Sequence, residues 1–267
     1  MRLAWLTDIH LDFIDPPARA ALAAAIRAEA PDGVIVTGDI AIAPTVQALI
    51  TELGAAIGLP LWFVLGNHDF YRGSVDEVRA RATAANQHDS AATWLQAAGV
   101  IRLAGASVPT ALVGVDGWGD GRLGDFARTR VELNDFYLID ELSRIPRGVL
   151  RTRLAAYGDE AAATLAPLLA EALTWAEHVI VATHVPPFRE ACWHEGAISD
   201  DNWLPFFTCA ATGEVIRAAL AAVPRARATV LCGHTHSSGE ATILPNLTVL
   251  TGAADYGHPR LQRILEL

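Results

Sequence analysis

The feature that most constrains the fold is a repeated alternation. Short apolar runs rich in Val, Ile and Leu are separated by Ala-rich stretches with helical character. Residues 3–7 read as a strand, 17–30 as a helix, 33–37 as a strand, 46–57 as a helix and 61–65 as a strand. Further strands are expected at 111–115, 179–183 and 229–232. The tail, 241–253 followed by 260–267, reads as two or three antiparallel strands. Strands apolar along their whole length, with helices between them, belong to a layered α/β fold whose strands are mostly parallel and covered on both faces.

The chain has 267 residues, 52% of them apolar, which suffices for a large core without covalent staples. No linker or internal repeat divides it, so one domain over 1–267 is expected. Two segments resist assignment. Residues 116–136 are rich in Gly, Asp and Arg, and residues 185–208 mix Pro with Trp and Phe. Long irregular stretches in a compact domain are often functional, and both are read as lid-like insertions.

No apolar run reaches membrane-spanning length and no leader precedes the first strand, so a cytoplasmic protein is expected. The formal charge of −10 argues against a nucleic-acid partner. Cys192, Cys209 and Cys232 form no CxxC pair, so neither a disulfide framework nor a thiolate metal site is expected. Cys232, two residues before His234, is placed at the rear wall of the site described next.

Polar blocks stand at the ends of these strands: Asp8-Ile9-His10, Gly38-Asp39, Gly66-Asn67-His68-Asp69, Thr183-His184 and Gly233-His234-Thr235-His236. In α/β sheets ligands bind beyond the carboxyl ends of the strands, so blocks far apart in sequence can converge there. Taken singly they say less. Asp8 and His10 would point the same way in extended chain and could share a cation, yet the pair also fits a helix cap beside a surface histidine. Asp39 fits a cap as readily as a ligand. His184 fits a core histidine as readily as a site residue. The alternate histidines 234 and 236 favour a metal, since neutral imidazole is a common ligand.

Together the blocks resemble the pattern of the calcineurin-like metallophosphoesterases: DxH, GD, GNHD, H and GHxH in that order, over residues 8 to 236. The resemblance implies a two-metal centre. Asp8, His10 and His236 would hold one cation, Asn67, His184 and His234 the other, and Asp39 would bridge them. It implies hydrolysis of a phosphodiester or phosphomonoester of a small molecule by a metal-bridging hydroxide. His68, oriented by Asp69, would stand beside the leaving group and give it a proton. The nitrogen and oxygen ligands suit manganese, iron, zinc or cobalt. Positive ions would also explain how an acidic protein attracts an anion.

The Arg-Gly of the Ser/Thr phosphatases is missing after Asp39, and Ile42 stands where purple acid phosphatases carry a ligating Tyr. The chain looks most like the small bacterial-type phosphoesterases and cyclic-nucleotide phosphodiesterases. Substrate contacts are expected from Arg72, Arg122, Arg128 or Arg130, and from Trp193, His194 and Trp203, with Phe206 and Phe207 nearby. The competing reading is a non-catalytic interaction scaffold on the same fold.

Overall fold

The computed structural model describes residues 1–87 and 91–267. Its strands form two main sheets. The first has the order β13-β1-β2-β3-β4, built from β1 (Arg2–Leu6), β2 (Gly33–Thr37), β3 (Leu61–Val64), β4 (Thr93–Trp94) and β13 (Arg263–Glu266). The second has the order β11-β12-β10-β7-β6-β5. It contains β5 (Ile101–Arg102), β6 (Thr110–Gly114), β7 (His178–Ala182), β10 (Arg227–Cys232), β11 (Gly239–Leu244) and β12 (Leu247–Thr251). A small ribbon, β8 (Trp193–His194) with β9 (Ala197–Ile198), stands apart. Neighbours are parallel except at the edges, where β13, β11 and β5 run antiparallel.

The period of two along β2 explains the layering. Val34 and Val36 face α1 (Pro16–Ala28) and α2 (Val46–Ile57), packing with Leu22, Ile26, Ile50 and Leu53. Ile35 faces the other way and meets Leu112, Ile180 and Leu231 of the second sheet. That sheet turns Val113, Val179 and Val181 toward Leu165 and Leu169 of α5 (Arg147–Ala172) and Ile216 and Leu220 of α7 (Ala210–Ala222). The result is a β-sandwich with helices on both outer faces. Each fully buried Val, Leu or Ile in these layers contributes roughly 1.5–3 kcal/mol.

The remaining helices are α3 (Val75–Gln87), α4 (Asp135–Leu138) and α6 (Leu204–Phe207). Among the described residues no helix is long and apolar enough to cross a membrane.

One expectation needs adjustment. The tail is divided between the sheets: β11 and β12 pair with each other and extend the second, whereas β13 returns to line the edge of β1. Each irregular segment also contributes buried parts to the body of the fold. Residues 116–121 are buried, with Trp118 stacked between Phe70 and Tyr157, and residues 204–208 are buried as well.

Candidate metal centre

The parallel strands deliver their polar blocks to one end of the sandwich. Beyond β1 and β2 the backbones stay paired: Asp8 N–H donates to Gly38 O at 3.0 Å and His10 N–H to Asp39 O at 3.0 Å. On the second sheet, Gly233 N–H donates to His184 O at 2.9 Å. The two sheets are tied across the site by His234 N–H, which donates to Asp8 Oδ1 at 3.0 Å.

The DxH and HxH blocks are not extended strand. Asp8, His10, Asp39, His234 and His236 have φ of 49°, 38°, 50°, 71° and 57°. These are left-handed conformations that cost a non-glycine residue about 1–2 kcal/mol each. The side chains converge because the chain coils at each strand end, not because alternate residues of a strand share a face. Such strain gathers where surrounding structure holds it for function. Glycine makes the crowding possible. A Cβ on Gly66 would stand 2.2 Å from Asp39 Oδ1, and one on Gly233 would stand 2.0 Å from Asp8 Oδ2.

Two groups of potential ligand atoms result. In the first, Asp8, His10, Asp39 and His236 each offer an atom within 4.8 Å of the others'. His236 Nε2 is 3.4 Å from Asp8 Oδ1. His10 is buried, and neither of its ring nitrogens has a hydrogen-bond partner. A buried imidazole without partners is costly unless a cation meets it.

In the second group, Asn67 Oδ1 lies 3.1 Å from His184 Nε2 and 2.9 Å from His234 Nδ1, and the two imidazole nitrogens are 3.2 Å apart. Asp39 Oδ1 is 3.3 Å from His184 Nε2. The outer hydrogen bonds fix what these atoms are. His184 Nδ1 donates to Thr37 O at 2.8 Å and His234 Nε2 to Phe206 O at 3.1 Å, so each ring turns a lone pair inward. Asn67 Nδ2 donates to Asp135 Oδ1 at 2.8 Å, which leaves its Oδ1 inward. Acceptors crowded together with no proton among them fit a cation at their centre.

The electrostatics agree. Burial, followed by the charges of Asp8 and Asp69, pushes Asp39 well above the usual carboxylate range. Burial acts on Asp8 in the same sense, but the hydrogen bond from His236 and the charges of His184, His236 and His10 outweigh it and hold Asp8 below that range. Burial pulls His10 down to about 4 and His234 to about 3, so both rings are neutral at physiological pH, the form a metal ligand requires.

His68 stands at the mouth, its Nε2 3.9 Å from Asp39 Oδ2, and burial and the neighbouring His10 and His184 hold it at about 2. The expectation that Asp69 orients His68 is corrected. Its carboxylate accepts the backbone N–H of Ile40, Ala41 and Gly66 at 2.8, 2.9 and 2.7 Å, splicing two loops together beneath the site. Both carboxylate oxygens are thus engaged by backbone amides, and the His68 ring stacks on Tyr71, centroids 4.2 Å apart.

Of the expected substrate contacts, His194 lines the cleft together with Phe207. Trp203 stacks on Phe207 at 4.9 Å and so supports that wall from behind. The others do not line the cleft. Arg122 is engaged by Asp120 and Asp159 at 2.9 and 2.7 Å, because it anchors its loop to α5. Arg128 is exposed beside Asp125, and Arg130 is exposed. Arg72 is exposed and left-handed, its charge felt by Asp12. Trp193 packs its indole against Gly239 of β11. Cys232 is also displaced from its expected place: its Sγ faces Leu250 O and Thr251, within the helix-side core of the second sheet.

Sequence reasoning missed Tyr71, Asp135 and Tyr256. Tyr71 O–H donates to Asp135 Oδ1 at 2.7 Å, and Tyr256 packs over His10 at 4.5 Å. None belongs to a block of site-type residues. The aromatic at 71, two residues after the GNHD block, was the one available signal.

No curated protein matches this chain by sequence. Among solved structures it is similar to the phosphopantetheinyl hydrolase of Mycobacterium tuberculosis (TM-score 0.68, 16% identity, 96% of this chain and 89% of that one). It is also similar to a dimetal phosphatase from Danio rerio (TM-score 0.58, 15% identity, 97% and 89%). Both likenesses speak for the fold. The family model for calcineurin-like phosphoesterases matches residues 1–238, and with the strand-end blocks inside that span the chain belongs to this family of metal-dependent phosphoester hydrolases.

Proposed function

We propose that the chain, as one domain over 1–267, hydrolyses a phosphodiester of a small molecule at a two-metal centre. Asp8, His10 and His236 would hold one divalent cation, Asn67, His184 and His234 the other, with Asp39 between them. The observation that carries this reading is the inward-facing set of acceptors, Asn67 Oδ1, His184 Nε2 and His234 Nδ1, packed 2.9–3.2 Å from one another. Bound divalent ions supply Lewis acidity there, neutralising phosphate oxygens and making water nucleophilic at neutral pH.

The chain's own residues do the rest. His68 is the group placed to protonate the leaving oxygen. A phosphate anion arriving beside it opposes the burial that holds its pKa down. Tyr71 and Asp39 fix its ring and backbone, since His68 N–H donates to Asp39 Oδ1 at 2.9 Å. His194, Phe207 and Leu133 give the cleft, about 280 Å³ in volume, an organic-binding side.

The preference for a diester follows from charge. The chain carries 20 basic residues, all arginine, and no Lys or Arg is among the residues lining the cleft, whereas Glu132 and Asp135 are. A monoester dianion would meet those carboxylates with only the metals to offset it. A diester brings one negative charge. Steady-state assays with added manganese test this. A kcat/KM for bis-p-nitrophenyl phosphate above that for p-nitrophenyl phosphate is expected, and the reverse order would contradict the diester preference.

A further inference from the structure

Tyr256 lies outside the span that matches the family, on the loop between β12 and β13, yet it lines the cleft. Its ring meets His10, His236 and His68 at centroid distances of 4.5, 5.2 and 6.0 Å, and its hydroxyl is 3.5 Å from His68 Nε2. Phe13 packs on its outer side at 5.0 Å. Both rings are exposed, Tyr256 at 47% and Phe13 at 55%.

The loop that carries Tyr256 is tied in place. Gln262 closes it through its side-chain amide, accepting from Ala253 N–H at 2.9 Å and donating to Ala253 O at 2.8 Å. Ala254 N–H donates to His236 O at 3.3 Å, which couples the loop to the GHTH turn. Gln262 N–H donates to Trp5 O at 2.8 Å, and Arg260 pairs with Asp255 at 3.1 Å. A solvent-facing aromatic on so braced a loop is positioned for contact rather than stranded.

We propose that Tyr256, propped by Phe13, is a specificity-determining residue that binds the organic arm of the ester on its ring face and donates its hydroxyl to the ester oxygen beside His68. The inference rests on the phosphoesterase reading of the cleft. The ligand class is a phosphodiester with a planar or apolar arm next to the phosphorus. A cleft with no Arg or Lys to grip that arm by charge must hold it through ring contact and neutral donors, and this ring is the exposed one on the His68 side. An unionised phenol, as tyrosine is at neutral pH, is such a donor. Ring contacts of this kind are worth about 0.5–1.5 kcal/mol, roughly three- to tenfold in affinity.

The test measures binding as well as turnover. Wild-type, Tyr256→Phe and Tyr256→Ala proteins, loaded with manganese, are titrated calorimetrically with two non-hydrolysable monoanions that carry no P–O–C bond, diphenylphosphinate and dimethylphosphinate. Tyr256→Ala is expected to lose about tenfold in affinity for the aryl anion and less than twofold for the methyl one. Tyr256→Phe is expected to keep aryl binding within about threefold while lowering kcat on bis-p-nitrophenyl phosphate. Equal affinities of wild type and Tyr256→Ala for the aryl anion, or equal losses on both anions, would overturn the proposal. An inactive wild type that still discriminates the two anions through Tyr256 would sink the hydrolase reading and leave this site standing.

Discussion

Asn67 Nδ2 donates to Asp135 Oδ1 at 2.8 Å, the shorter of its two contacts, and this bond turns the amide oxygen toward the candidate metal centre. Tyr71 O–H holds the same oxygen at 2.7 Å. The carboxylate is buried, and burial raises its pKa while the hydrogen bonds from Tyr71 and Asn67 oppose the rise. Asp135 is therefore the residue that turns the Asn67 amide oxygen toward His184 and His234.

Removing that carboxylate should weaken one metal site selectively. Asp135→Ala is expected to lower the affinity for the weaker-bound manganese ion by about 10–100-fold, in line with losses seen when outer partners of metal ligands are removed. Competition titration with a metallochromic chelator would measure it. Unchanged affinity at both sites would mean that Asn67 needs no orienter.

His68→Ala should leave metal content unchanged and lower kcat by about 10²–10⁴-fold for diesters with poor leaving groups. The loss should shrink for p-nitrophenolate, which departs without a proton. A plot of kcat against leaving-group pKa, steeper in the variant than in wild type, is the expected signature. Parallel plots would remove His68 from the proton-transfer role.

Chelation should destabilise the fold. Without cations, Asp8 and Asp39 face each other in a buried site with the inward lone pairs of His184 and His234. Metal present at 100 to 1,000 times its dissociation constant contributes about 2.7–4 kcal/mol per site. Adding excess EDTA is expected to lower Tm by several degrees, recoverable with manganese. A Tm indifferent to chelator would show that folding does not depend on the ions.

Arg122→Ala and Arg128→Ala should leave KM within about twofold, because neither guanidinium lines the cleft. Arg122→Ala should lower Tm alone, as it frees the buried Asp120 from its partner. A rise in KM for either variant would place that side chain on the substrate.

Much of this was legible beforehand because the buried strands are nearly uninterrupted β-branched runs. GVIVT and HVIVA announce themselves, and each ends on a block of ligand-type residues. That these blocks could meet at one end of the sheets was legible from their places after the strands. What spacing could not convey was conformation: Asp8, His10 and His236 share a face only because each is left-handed. Helix α5 went unread although Leu150, Leu154, Ala161, Leu165 and Leu169 keep a helical stripe, since Gly158 and Pro167 interrupt it. Asp135 and Tyr256 are single residues brought in by tertiary packing, so no local pattern carries them. Arg122 looked like an anion contact because sequence shows the cation and hides the two carboxylates that already hold it.

The central claim is that the separated strand-end loops gather ligands for a pair of cations. Elemental analysis of protein purified with manganese, set beside Asp39→Asn, tests it most directly. About two divalent ions per chain are expected in the wild type, and well under one in the variant, since that carboxylate would be shared by both. A wild type holding no stoichiometric metal, or an Asp39→Asn variant as fully loaded as its parent, would contradict the account.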